Sequence, residues 1–159
     1  MNTLLIGIGN PGRGDDALGP ALAARLAGLE PGSVPEGAVI DIPVLAVSAS
    51  WKYQLNIEDA HLIKDCGRVV FADAEAASEI PVALRRVEPA AAIAFTTHEM
   101  TPASVLALCE ELYGRAPEGW LLTMRGYVWA LGENLSARAA LNLEEALRRI
   151  REFVLSGLD

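Results

Sequence analysis

Gly7-Ile8-Gly9-Asn10-Pro11-Gly12-Arg13-Gly14-Asp15-Asp16 follows the apolar run Leu4-Leu5-Ile6 and precedes an amphipathic stretch from about Ala17 to Leu29. A buried strand, a glycine-rich turn and a helix start are the opening of an open α/β fold. Such folds bind ligands at the carboxyl edge of the sheet. A helix N-terminus attracts anions. Here the turn ends in two carboxylates of its own, which points to a bound cation or a polar reacting group rather than to a phosphate.

Outward from this turn, strands and helices alternate. The first strand covers about Thr3 to Ile8, and Leu18, Leu22, Leu26 and Leu29 make the stripe of the first helix, with Arg25 on its border. Pro20 is tolerable because it lies near the first turn. Ala38-Val39-Ile40 reads as a second strand with Asp41 at its end. Pro43 to Trp51 reads as a loop with an edge strand at Val44 to Val47. A short helix follows over about Gln54 to Lys64, with Asn56 and Asp59 as a capping pair. Arg68 to Ala72 is a continuous apolar run, suited to a strand covered on both faces, and it stops at Asp73.

Val82 to Val87 alternates weakly and reads as an edge strand. Ile93-Ala94-Phe95 leads to a loop, Thr96-Thr97-His98-Glu99-Met100. Thr101-Pro102 is a cap with a first-turn proline, Gly114 ends that helix, and Trp120 to Met124 is the last clear strand. Ser136 starts the final helix and Gly157 stops it. The architecture expected is a three-layer α/β/α sandwich with a largely parallel sheet, in a single domain over residues 1–159.

Composition narrows the function. The net charge is −8 and the basic residues gather only at Arg85-Arg86 and at Arg148-Arg149-Arg151, the latter beside Glu144, Glu145 and Glu152 on the last helix. Pairing one turn apart explains that cluster, so nucleic acid is disfavoured as a partner. No apolar stretch is long enough to cross a bilayer, and the N-terminus lacks the features of a secretory signal. Cys66 and Cys109, far apart and without C-x-x-C spacing, read as core residues of a protein in a reducing cytoplasm.

Three polar groups stand at strand ends: Asp16, Asp73 and His98. In a parallel sheet those ends share an edge, so the three can converge. Two carboxylates and an imidazole suit a divalent ion such as nickel or zinc and leave positions open for water or substrate. Asp15 reads first as a helix cap; for Asp16 the cap and ligand readings stand level. His61, within a helix, reads as structural or exposed. The literal G-x-G-x-x-G of Gly7, Gly9 and Gly12 is also that of dinucleotide-binding turns. Pro11 removes an N–H donor from it, and Asp15 and Asp16 would repel a pyrophosphate.

Gly7-Ile8-Gly9-Asn10 with Asp15-Asp16 and Gly19, then Val69-Val70-Phe71-Ala72-Asp73-Ala74, then Thr97-His98-Glu99-Met100-Thr101-Pro102, resemble the nickel–iron hydrogenase maturation endopeptidases. Tyr53 to Ala60 resembles the segment that this family carries before its aspartate strand. The resemblance implies a phosphorylase/hydrolase-like sandwich and a metal-binding trio on Asp16, Asp73 and His98. It implies a metal-dependent, aspartic-type endopeptidase of the cytoplasm, with Asp16 and Asp73 as the catalytic carboxylates. Its substrate would be the C-terminal extension of a hydrogenase large-subunit precursor after nickel insertion. The nickel would be that of the substrate, and zinc or another divalent ion can take its place. One departure is Ala17, where the family often has glycine. Two other readings stand beside this one. A peptidyl-tRNA hydrolase shares Gly9-Asn10-Pro11-Gly12, but here no histidine follows the turn before His61. A non-catalytic protein that binds nickel-loaded clients needs the same trio. Trp51, Tyr53, Tyr127 and Trp129 are candidates for a client-docking face, with core packing as the competing explanation.

Overall fold

A computed structural model describes residues 2–91 and 100–157. Six strands form one sheet in the order β2-β3-β1-β4-β6-β5. They are β1 (Thr3–Ile8), β2 (Ile40–Ile42), β3 (Val47–Lys52), β4 (Arg68–Glu75), β5 (Val82–Val87) and β6 (Glu118–Arg125). The inner four are mutually parallel, and the two edge strands, β2 and β5, run antiparallel to their neighbours.

The helices are α1 (Leu18–Leu26), α2 (Asp59–Ile63), α3 (Pro102–Tyr113) and α4 (Ala137–Ser156). Strand alternation divides the core into two layers. Leu5, Val70, Ala72, Leu122 and Met124 face α1 and α4. Leu4, Ile6, Val69 and Phe71 face α2 and α3. The sandwich of helices on both faces of a mostly parallel sheet is the one expected.

Caps and stops follow local chemistry. Thr101 Oγ1 accepts from Ser104 N at 3.1 Å, with Pro102 at the first helical position and Gly114 as the left-handed C-cap of α3. Ser136 Oγ accepts from Ala139 N at 3.1 Å at the start of α4, and Gly157 closes that helix. Asn56 and Asp59 do pair across the start of α2, the Asn56 N–H donating to Asp59 Oδ2 at 2.8 Å. On α4, Glu145 meets both Arg148 and Arg149, which hold its carboxyl down to about 2, while Glu144 reaches across to Arg25 of α1.

Four expectations are corrected. The segment read as a loop holds a 3-10 turn, Pro43–Leu45, and then β3, an interior strand beside β1. Its Ser48-Ala49-Ser50 centre offers no apolar run, because small side chains suffice where α1 packs close. The second strand is displaced to Ile40–Ile42, so Asp41 is its middle residue. There Asp41 accepts the Ser48 hydroxyl at 2.6 Å, opposite the start of β1 and thus at the wrong edge for a dinucleotide ribose.

The first helix is preceded by a separate 3-10 turn, Gly14–Ala17, and ends at Leu26 rather than Leu29. Gly28 stops it in a Schellman arrangement, with Leu29 N donating to Ala24 O at 2.9 Å and Gly28 N to Arg25 O at 3.0 Å. The helix expected over Gln54 to Lys64 is only Asp59–Ile63, which leaves Tyr53, Gln54 and Leu55 as connecting chain. Strand Ile93 to Phe95 and the loop Thr96 to Glu99, His98 included, lie outside the described residues.

Candidate functional site

The first turn is held by its backbone. Gly9 N donates to Lys52 O at 3.0 Å, Asp15 N to Val128 O at 2.7 Å, and Gly132 N to Gly12 O at 2.7 Å. Gly9 has φ +143°, and a Cβ there would fall 2.0 Å from the Asp16 carbonyl oxygen. Only glycine fits a backbone folded back so tightly on the residue it delivers. Gly19 lies as close to the sheet: its Cβ would meet Ile8 O at 2.3 Å and Ala72 O at 2.7 Å. This contact seats the start of α1 over the carboxyl ends of β1 and β4.

The two adjacent aspartates diverge. Asp15 is fully buried and accepts four hydrogen bonds: from Tyr127 N (2.7 Å), Val128 N (2.9 Å), Ser136 N (2.7 Å) and Ser136 Oγ (2.8 Å). Burial pushes its carboxyl up. The bonds from Ser136, Tyr127 and Val128 outweigh that and hold it below the ordinary 3.8. Asp15 therefore ties the first turn to the chain entering α4; it does not cap its own helix. Asp16, half-buried, points the other way. Its Oδ2 accepts from Asn10 N at 2.9 Å, and its side chain lines a cavity of about 180 Å³.

Asp73 lines the same cavity. It lies in register with Ile8 of β1 and Thr123 of β6, on the sheet face that carries Phe71 and hence toward α2 and α3. Ile8, Gly9, the 53–55 segment, Met100 and Pro102 complete the wall. Asp16 and Asp73, far apart in sequence, are thus brought together at the carboxyl edge. Among the described residues no third metal-ligating side chain joins them; His98 is outside that set. Two carboxylate oxygens in one small polar cavity have the donor chemistry for a divalent cation, and two coordination partners alone leave positions open.

A larger groove, about 470 Å³, opens at the opposite edge, among Thr3, Asp41, Ala46 and Cys66. It is mainly apolar, its carboxylate is engaged by Ser48, and it lacks facing acids. The remaining candidates sort simply. His61 is exposed and lies 3.2 Å from the Tyr113 hydroxyl, away from the cavity. Cys109 is buried and Cys66 half-buried, neither in a disulfide; burial pushes both thiols up, as for inert core residues. Of the aromatic residues considered for docking, Trp51 is core, donating Nε1–H to Val34 O at 2.6 Å. Tyr53 is 54% exposed and borders the cavity.

Sequence reasoning missed Gln54 as a cavity residue, having placed it in a helix. It missed also the ion pair between Lys52 Nζ and Asp59 Oδ1 at 3.0 Å, the latter with 0% exposure. The Asn56–Asp59 spacing was the one available signal for that pair.

No family model matches the chain, and no curated protein matches it by sequence. Solved structures do match it by fold. The NiFe-hydrogenase maturation protease HycI from Thermococcus kodakarensis is 23% identical, with a TM-score of 0.68 over 96% of this chain and 92% of that one. The hydrogenase maturating endopeptidase HybD from E. coli is 19% identical, with a TM-score of 0.67 over 94% and 90%. The hydrogenase 2 maturation peptidase from a Thaumarchaeota archaeon is 19% identical, with a TM-score of 0.63 over 97% and 98%. With both chains covered nearly end to end in each comparison, this protein has the fold of the hydrogenase maturation proteases.

Proposed function

We propose that the protein is an endopeptidase that removes the C-terminal extension of a nickel–iron hydrogenase large-subunit precursor. The observation that carries this reading is the meeting of Asp16 and Asp73 in one cavity, on a fold shared with hydrogenase maturation proteases. In this reading the nickel belongs to the substrate. Asp16, Asp73 and His98 recognise it and so set the scissile peptide bond beside the two carboxylates. One carboxylate takes a proton from the attacking water and passes it to the departing amide nitrogen, as general base and then general acid. Tyr53, exposed at the rim of the cavity, would in this reading be a contact for the entering peptide. The acidic surface and the absence of a histidine soon after the first turn speak against the peptidyl-tRNA reading.

The test is a mass measurement. The protein is incubated with a large-subunit precursor from the same source, with and without inserted nickel, and Asp16→Asn serves as control. Loss of a C-terminal peptide only with nickel, and only with the unmodified protein, supports the proposal. Nickel-dependent co-elution without cleavage makes the protein a client-binding factor. Neither result, with a competent precursor, refutes both.

A further inference from the structure

Arg125 ends β6, two residues beyond Thr123, which stands in register with Asp73. It is thus one strand, about 5 Å, across from the strand of Asp73 and about 7 Å further along. The Tyr127 ring gathers two guanidiniums. The Cζ of Arg125 lies 5.2 Å from the ring centroid, and that of Arg138, in the first turn of α4, 4.3 Å. Stacking on a ring satisfies the face of a guanidinium and leaves its edge of N–H donors unused. The Arg125 Nε is buried and has no acceptor. Neither side chain is ion-paired, whereas Arg25, Arg86, Arg148 and Arg149 each hold a glutamate. Glu75, opposite Arg125 in the register, is exposed and makes no ion pair with it. Asp15, which meets the start of α4, is spent on four other donors. Arg138 stands at the helix end that favours negative charge, with no acidic residue in that turn. Two like charges are therefore held together at the carboxyl edge of an acidic chain, with donors to spare.

We infer that Arg125 and Arg138, set about Tyr127, form a subsite for a carboxylate of the C-terminal extension and so determine which extension is accepted. Guanidinium forks match a carboxylate in shape and in charge. One such ligand answers the unused donors, the like-charge contact and the helix end together. About three residues of extended peptide cover the span from Asp73 to Arg125, so an acidic side chain near the scissile bond reaches the subsite. The terminal carboxylate of the extension offers the same chemistry. The inference deepens the endopeptidase reading and rests on it.

The test is steady-state cleavage of the nickel-loaded precursor, with KM and kcat read separately. Arg125→Gln should raise KM about tenfold and the more exposed Arg138→Gln about threefold, with kcat held within about twofold. Added salt should raise KM for the unmodified protein and much less for the double variant. A second arm alters the substrate. One precursor has the acidic side chains of its extension changed to amides, and another has its C-terminal carboxylate amidated. The one that has lost the ligand should raise KM as far as the double variant does, and should add nothing when the two are combined. Glu75→Gln should leave KM unchanged or lower it; a rise matching that of Arg125→Gln overturns the inference. Arginines that serve only the fold would lower the urea midpoint and leave KM alike for every precursor, which also overturns it. So do fully additive losses. Should a glutamine variant not fold, an unchanged KM for both altered precursors with the unmodified protein is still sufficient to overturn it. No cleavage by the unmodified protein removes the endopeptidase reading, and the inference with it; cleavage with unchanged KM in the arginine variants removes the inference alone.

Discussion

Asp15→Asn separates the two aspartates of the first turn. Asp15 Oδ2 accepts three hydrogen bonds and Oδ1 one, and the side chain has no access to water. An asparagine of the same shape can put its carbonyl oxygen at only one of these positions. With oxygen at Oδ2, its NH₂ faces the Ser136 N–H, donor against donor. One bond is then lost at about 2 kcal/mol, and three others fall from charge-assisted to neutral at about 1 kcal/mol each. Relief from burying a charge returns part of this, leaving about 3 kcal/mol. That is a large share of a total stability of about 5–15 kcal/mol. With a urea slope of about 2 kcal/mol/M the midpoint should fall by about 1.5 M. Asp16→Asn, which can keep its single bond from Asn10 N through the amide oxygen, should stay within about 1 kcal/mol of the unmodified protein. A loss below about 1 kcal/mol in Asp15→Asn, or an equal loss in both, would refute the structural assignment.

The same carboxyl gives a pH signature. Its folded value is depressed below the ordinary 3.8, so its stabilisation is complete above that value and is lost as pH falls through the folded one. Unfolding followed from pH 5 downward should therefore be steeper for the unmodified protein than for Asp15→Asn; parallel curves would count against the tie. Gly9→Ala should displace the Asp16 backbone, since a Cβ would lie 2.0 Å from its carbonyl oxygen, and cleavage of the precursor should be lost. Gly19→Ala drives a Cβ into backbone of β1 and β4 and should cost about 3 kcal/mol in urea unfolding. Thr101→Ala removes the side-chain cap of α3 and should cost about 1 kcal/mol, with no change in metal titration at the cavity.

Much of the fold was legible where local chemistry is self-sufficient. The β4 run Val69 to Ala72 is apolar on both faces, as a central parallel strand must be. Thr101-Pro102, Gly114 and Ser136 mark helix ends by hydrogen bonds formed within one turn of chain. The strand β3 was not legible, since its Ser48-Ala49-Ser50 is set by what packs on it. Ala49 faces α1, and Ser48 donates to Asp41 of an edge strand that itself spans three residues. Such a segment carries no apolar signal; its place between β1 and β2 is a tertiary fact.

The site shows the same division more sharply. Strand-end logic brought Asp16 and Asp73 to one edge, because parallel strands end together whatever separates them in sequence. That logic says nothing about which of two neighbouring aspartates turns inward. Asp15 and Asp16 are chemically identical and one residue apart, and the choice between them is made by Tyr127, Val128 and Ser136, more than a hundred positions along the chain. Those three N–H groups and the Ser136 hydroxyl hold Asp15 within the 3-10 turn Gly14–Ala17, and Asp16 is the next residue of that same turn. Asp16 then has to emerge on the cavity side, over Gly9. The buried aspartate is in this sense what aims the half-buried one. It follows that Asp15→Asn, beyond its cost in stability, should weaken Zn²⁺ binding at the cavity even below its unfolding midpoint. Unchanged affinity in the folded variant would mean that Gly9 and Asn10 alone fix Asp16.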